Sequence, residues 1–219
     1  MLGLHHQFSA RDTLLPPPWL AAPLPPLAAV VLFSFEMPRL PKAEERTILL
    51  DARAMSRALQ HMAVEILELA HGTGDLVLIG IQRRGVELAE RIAKLLEKEK
   101  GAQIPRGALD ITLYRDDLGT VGPNPVIGET HIPGDLTDKH AVIVDDVLYT
   151  GRTVRAALDE LADFGRPKRI SLCVLVDRGG RELPIQADIV GTSVKTGPGE
   201  RVEVQVEELD GRDQVDVIR

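Results

Sequence analysis

In the stretch Val142-Ile143-Val144-Asp145-Asp146-Val147-Leu148-Tyr149-Thr150-Gly151-Arg152-Thr153, an apolar run leads into an acid pair, then a small hydroxyl-and-glycine loop, then the start of a helical pattern. That order has a chemical meaning. In an open parallel sheet the ligand crevice lies beyond the carboxyl ends of the strands, and the helix that follows offers unpaired N–H groups and a positive dipole end to an anion. Thr150, Gly151 and Thr153 supply hydroxyls and an unobstructed backbone, so a phosphate monoester suits the loop. Asp145 and Asp146 would repel phosphate if they faced it, but they accept hydrogen bonds from sugar hydroxyls or help hold a divalent cation. Phosphate on one side and diol-binding carboxylates on the other describe a ribose 5-phosphate site. Either feature alone is common in an ordinary strand-to-helix turn; their union in one unbroken stretch favours function. The segment is not a nucleotide P-loop, because it lacks the glycine spacing and the terminal Lys-Ser/Thr.

The elements that must position this stretch are legible around it. Asp51 is placed to cap a helix running to about His71, with Met55, Leu59, Met62, Ile66 and Leu69 at helical spacing and Gly72 as its stop. A short apolar strand, Leu76 to Ile81, precedes a second amphipathic helix with Val86, Ala89, Ile92, Leu95 and Leu96 inward. A strand at Asp110 to Leu113 is expected next, then a long Gly/Pro-containing segment from Asp116 to Pro133, a strand at Ala141 to Val144, a helix from about Thr153 to Phe164, and a strand from Ile170 to Val176. Short apolar strands alternating with amphipathic helices predict an α/β fold, a mainly parallel sheet covered on both faces. Alternation at Val202, Val204 and Val206 and again at Val215 and Val217, around Asp210-Gly211, predicts a C-terminal β-hairpin added at a sheet edge.

The 219 residues suffice for one full α/β domain. Residues 1–36 stand apart: they hold Pro16-Pro17-Pro18, Pro23 and Pro25-Pro26, are nearly uncharged and show no period, so they read as a disordered extension or a mis-assigned start, with 37–219 as the domain. The apolar stretch Trp19 to Phe35 is broken by prolines and is not read as a membrane anchor. A net charge of −7 argues against a protein held to nucleic acid mainly by phosphate neutralisation, and an aromatic content of 3% leaves few base-stacking platforms. The lone Cys173, inside an apolar run, reads as a small buried strand residue; no internal disulfide is available, which fits a reducing cytoplasm.

The segment Asp145 to Thr153 is similar to the diphosphoribosyl-diphosphate (PRPP) signature of type I phosphoribosyltransferases, and its wording resembles the family of bifunctional pyrimidine-operon attenuation regulators with uracil phosphoribosyltransferase activity. Three further stretches resemble that family in the right order: Gly80-Ile81-Gln82-Arg83-Arg84-Gly85 its pyrophosphate loop, Asp110 to Asp117 its flexible hood, and Val176 to Gly179 with Glu182 to Ile185 its base-binding side. The resemblance spans roughly Ile48 to Ile218. It implies the type I phosphoribosyltransferase fold and displacement of pyrophosphate from PRPP by a uracil ring nitrogen. Tyr149, Thr150, Gly151, Arg152 and Thr153 would hold the 5-phosphate, and Asp145 and Asp146 the ribose diol. Gln82, Arg83 and Arg84 would receive pyrophosphate, and Arg115 would swing in on the leaving group. Backbone groups near Val176, Asp177 and Ile189 would read uracil. Mg²⁺ is implied by the substrate, since it binds phosphates with few carboxylates. The six histidines show no metal-ligand spacing.

The same resemblance implies a homo-oligomer, UMP or UTP as effectors, and binding of pyr leader mRNA. On that last point the chain departs from the family. Where relatives place a threonine, basic residues and a histidine along the first helix, it has Gln60, His61, Val64 and Leu69; Gln186, Gly180 and Thr192-Ser193 stand at further basic or polar positions. These replacements predict weakened RNA contact.

Overall fold

The computed structural model describes residues 44–111 and 129–219. Strand β1 (Arg46–Leu50) enters helix α1 (Ala52–Ala70) through Asp51, whose side chain accepts a hydrogen bond from the Ala54 N–H at 2.7 Å, the expected N-cap. His71 ends that helix in the left-handed region, at φ 53°, with its N–H on Glu68. Strand β2 (Leu76–Ile81), helix α2 (Arg84–Lys100) and strand β3 (Arg106–Leu109) follow; then β4 (His140–Leu148), α3 (Arg152–Leu161), β5 (Arg169–Asp177), β6 (Ile189–Ser193), β7 (Arg201–Gln205), the short helix α4 (Glu207–Asp210) and β8 (Gln214–Ile218).

Strands β3-β2-β4-β5-β6, in that spatial order, form one fully parallel sheet. Alternation along its central strands divides the core. Val142 and Val144 of β4 and Cys173 and Leu175 of β5 pack with α1 and α2, whereas Ala141, Ile143, Leu172 and Val174 pack on the other face with Val154, Ala157 and Leu161 of α3. This is the doubly covered sheet that the alternating pattern predicts. Cys173 is buried there, and burial pushes its thiol well above the usual range.

Two expectations are corrected. The strand expected at Asp110 to Leu113 lies earlier, at Arg106–Leu109, with Leu113 outside the described residues. Its Gly107 and Ala108 have weak strand propensity, and tertiary contact overrides it: Ala108 pairs with His131, and a Cβ on Gly107 would stand 2.6 Å from the His131 carbonyl. The C-terminal hairpin exists as β7 and β8, but it does not extend the parallel sheet. It joins β1 in a separate antiparallel sheet of order β1-β8-β7, with α4 in its connection. The expected N-terminal extension, residues 1–36, and most of the long loop, including Arg115, lie outside the described residues.

Candidate active site

From β2 the chain crosses to β3 on one side, then returns to place β4 on the other side of β2. The strand order therefore reverses between β2 and β4, and a crevice opens at the carboxyl ends flanking such a reversal. Into it run the Gln82–Arg84 turn from β2 and the acid pair with its loop from β4. Glycine permits the close fit. A Cβ on Gly80 would lie 2.4 Å from Val86 Cα, and one on Gly85 would lie 2.5 Å from the Val144 carbonyl, so the start of α2 rests directly on both strand ends.

Asp145 and Asp146 belong to β4 itself, and Asp145 is 6% exposed. The Asp145 carboxylate accepts the Asp146 N–H at 2.9 Å, and the Asp146 carboxylate accepts the Val147 N–H at 2.8 Å. Burial, then the neighbouring Asp146 charge, raises the Asp145 pKa well above the ordinary carboxylate range. Burial raises that of Asp146 as well, opposed by the Val147 N–H and by the field of Arg84. No protein cation bonds either carboxylate among the described residues. Their raised values describe acceptors lacking a strong internal partner, which is what hydroxyl or cation binding requires.

The loop after β4 is shaped for an anion. Gly151 adopts φ 92°, and a Cβ there would meet Ile185 at 3.3 Å and Leu183 at 3.4 Å. The N-cap residue Gly151 has no side chain to cap α3, so among the described residues the Thr153 and Val154 N–H groups are left for another acceptor. The Thr150 hydroxyl accepts from the Arg152 N–H at 3.3 Å, and the Thr150 carbonyl accepts from the Glu182 and Leu183 N–H groups at 3.0 Å each. Arg152 pairs with Glu182 at 2.8 Å, so its guanidinium points to the neighbouring loop. Tyr149 is 45% exposed and has the Arg178 guanidinium 3.9 Å above its ring.

At the start of α2, Arg83 is exposed, whereas Arg84 forms two hydrogen bonds to Asp210 of α4, at 2.9 and 3.1 Å. The structure thus places Arg84 near the acid pair but engages its side chain elsewhere. Gln82 donates to the Glu129 carbonyl at 2.7 Å.

Beyond β5, Val176 and Asp177 pair with Thr192 and Ser193. Ile189 is not brought to that end: it is 2% exposed and sits opposite Cys173, within the α1 core. Asp177 is one lining residue of a cavity of about 510 Å³ that also includes Gly179, Arg181, Leu183, Ile185 and Gln186.

Arg181 is a residue that motif matching does not single out. It donates to the carbonyls of Tyr149 at 2.8 Å and Ile185 at 2.9 Å and to the Asp177 carboxylate at 2.6 Å, bracing the loop after β4 against the loop after β5. Although burial acts upward on Asp177, the Arg181 bond and the Gly179 N–H hold its carboxyl below the usual range. An arginine directly after a Gly-Gly pair looks in sequence like a solvated loop charge; only the folded loops reveal its partners.

Among the described residues no cluster of three His, Cys, Asp or Glu is arranged to hold a metal ion, and no helix is long and apolar enough to cross a membrane. Two adjoining carboxylates without a protein cage fit an ion that arrives with its phosphates.

Comparison with known proteins agrees with this geometry. Residues 45–209 match the phosphoribosyl transferase domain family. The chain is 57% identical over 169 residues to the bifunctional protein PyrR of Thermus aquaticus, covering 77% of this chain and 93% of that one. It is 52% identical over 176 residues to the bifunctional protein PyrR of Pelotomaculum thermopropionicum, covering 80% and 97%. Among solved structures, a hypoxanthine phosphoribosyltransferase of Trypanosoma cruzi superposes with a TM-score of 0.62 at 18% identity, covering 83% of this chain and 95% of that one. One from Staphylococcus aureus gives 0.58 at 19% identity, covering 79% and 92%. At such identities these structures speak for the fold alone, which is the type I phosphoribosyltransferase fold. A parallel sheet whose reversal point carries a buried acid pair and an uncapped helix start, in a chain this similar to its relatives, belongs to the PyrR family of phosphoribosyltransferases.

Proposed function

We infer that the protein transfers the 5-phosphoribosyl group of PRPP to uracil, forming UMP and pyrophosphate. The observation that carries this reading is the strand-loop-helix of β4 and α3, where the buried Asp145 and half-buried Asp146, with no protein cation bonded to them among the described residues, adjoin a helix start whose N-cap glycine offers no side-chain cap. Asp145 and Asp146 accept the ribose hydroxyls, while Thr150, Gly151, Arg152 and Thr153 surround the 5-phosphate, with Tyr149 at the loop's entry. The Gln82–Arg84 turn receives pyrophosphate through Arg83 and the backbone, and Arg115 is the further cation we assign to the leaving group. The base sits beside Val176 and Asp177, against the cavity that Arg181 braces. Positive charge building at the sugar carbon as the bond to pyrophosphate breaks is stabilised by the fixed acid pair, and the sheet end excludes water from one side. Mg²⁺ entering with PRPP would be held by its phosphates and by Asp145 and Asp146, and it supplies charge neutralisation of the leaving group. The catalytic unit we assign is 37–219, acting as a cytoplasmic homo-oligomer, with residues 1–36 outside it.

UMP formation from uracil and PRPP with Mg²⁺ tests this reading, with Asp145→Asn/Asp146→Asn as the comparison. Product from the wild type that collapses in the double variant supports it; a folded wild type with no product overturns it.

The second activity we assign is contact with pyr leader mRNA, modulated by UMP or UTP. It is supported by Arg53 and Arg57 on the exposed outer side of α1, while Gln60 and His61 beside them predict weak contact. A salt-sensitive gel shift with leader RNA tests it, and its loss in Arg53→Gln/Arg57→Gln assigns the face.

A further inference from the structure

A chain of side chains links the start of α2 to the helix behind the phosphate loop. The Gln82 backbone N–H bonds the Leu109 carbonyl at 2.9 Å, and its side-chain amide bonds the Glu129 carbonyl at 2.7 Å. The next residue after each acceptor enters one clasp: the Asp110 N–H donates to the Thr130 hydroxyl at 3.0 Å, and that hydroxyl donates to Glu160 Oε1 at 2.7 Å. The polarity is consistent, since a threonine hydroxyl can accept one proton and donate its own. Glu160 belongs to α3, the helix whose first turn borders the phosphate loop, and it is 5% exposed.

Nothing structural requires a carboxylate at that position. Glu160 Oε2 is the one buried side-chain polar atom without a hydrogen-bond partner among the described residues. Burial first, then the nearby charges of Asp110 and Asp163, raise its pKa, with only the Thr130 bond acting against them. Buried polar atoms that stay unsatisfied are uncommon and call for a reason. Gln82 supplies one here: both of its tethers end one residue from the clasp, which joins the paired Ala108–His131 backbone bonds in anchoring the two segments that hold Gln82.

We propose that Thr130 and Glu160 are positioning residues that act through Gln82 to set the pyrophosphate-side turn relative to the phosphate-binding helix. The proposal rests on the reading of the Gln82–Arg84 turn as the pyrophosphate loop. It predicts that the clasp governs the affinity for PRPP and leaves the uracil side alone.

The experiment compares steady-state kinetics of Thr130→Val, Thr130→Ser, Glu160→Leu and Glu160→Gln, each checked for folding by its melting temperature, with Gln82→Leu alone and combined with Thr130→Val. Loss of one hydrogen bond predicts that Thr130→Val and Glu160→Leu raise KM for PRPP roughly three- to tenfold, with kcat and KM for uracil unchanged. Thr130→Ser and Glu160→Gln, which keep the donor and acceptor, restore the wild-type KM. In the Gln82→Leu background, Thr130→Val adds little, because residues acting as one unit are not additive. A lowered melting temperature with unchanged KM for PRPP, or full additivity with Gln82→Leu, overturns the clasp. If Gln82→Leu itself leaves KM for PRPP unchanged, the pyrophosphate-loop reading and the clasp both fall. If Gln82→Leu raises it and Thr130→Val does not, only the clasp falls.

Discussion

Acidic side chains meet opposite fates around the first half of α2. Near its start, Asp145 is buried and Asp146 half-buried at a strand end, with no protein cation bonded to either among the described residues, and burial raises both pKa values. Along its flank, α4 and the turn after it offer Asp210, Glu208 and Asp213 to Arg84 and Arg91. Arg91 reaches Asp213 at 2.8 Å and Glu208 through a short bidentate pair, and all three carboxyls are held below their usual range. The difference separates two uses of the same chemistry. A paired acid is spent on fastening the antiparallel β1-β8-β7 sheet to α2. An unpaired buried acid destabilises the fold and stays available to a ligand.

Breaking that contrast should have its largest effect at the acid pair. Asp145→Asn/Asp146→Asn should lower kcat/KM by about a hundredfold or more, since each carboxylate loses charge-assisted bonds to the sugar. The same variant should melt at a higher temperature than wild type at neutral pH. With folded values raised, the wild type's handicap is present at neutral pH, shrinks as these groups protonate on acidification, and is gone below the ordinary 3.8. Melting curves from neutral to acidic pH check this; a double variant less stable at neutral pH would remove the contrast.

Arg181→Met should come next, because it strips donors from the Tyr149 and Ile185 carbonyls and leaves Asp177 without its cation. A loss of about 2 to 3 kcal/mol of stability is expected by denaturant titration, together with raised KM for both substrates, because both loops lean on this one side chain.

On the paired side, Arg91→Met should cost about 1 to 2 kcal/mol, with little effect on KM. Its pH dependence sharpens the comparison. Asp213 and Glu208 have lowered folded values, so their contribution is present above the ordinary carboxylate values and is lost as pH falls through the folded ones. The gap between wild type and Arg91→Met therefore also closes in acid, but from the opposite sign. Smallest of all should be Asp210→Asn, at about 0.5 to 1 kcal/mol, because Arg84 is 35% exposed and solvent screens the pair. A KM for PRPP that falls in this variant would show that Asp210 competes with substrate for Arg84.

Local signals carried much of the architecture. Asp51, the spacing of Met55 to Ile66 and the apolar runs at Leu76 and Ala141 place α1, β2 and β4 because capping and periodicity act within a few residues. The stretch from Val142 to Thr153 was equally legible as strand, loop and helix start, since the three are contiguous there. Elements whose reasons lie far away in the chain were not. Strand β3, with Gly107 and Ala108, is held by β2 and His131, and β1 is recruited by β8 from the far end of the chain. Ile189 follows the same rule: register against Cys173, rather than distance from Asp177 along the chain, puts it in the core.

By itself the sequence determined which chemical groups were on offer: the acid pair, the hydroxyl-and-glycine loop and the alternation that requires a parallel sheet. Tertiary structure alone decided which charges are free to act. Arg84 and Arg91 find acids more than a hundred residues away, Arg181 finds five backbone or carboxylate acceptors at and beyond the ends of β4 and β5, and Asp145 finds no cation among the described residues. A side chain's charge is fixed by its type, but its desolvation and its partners depend on what the fold brings within hydrogen-bond reach.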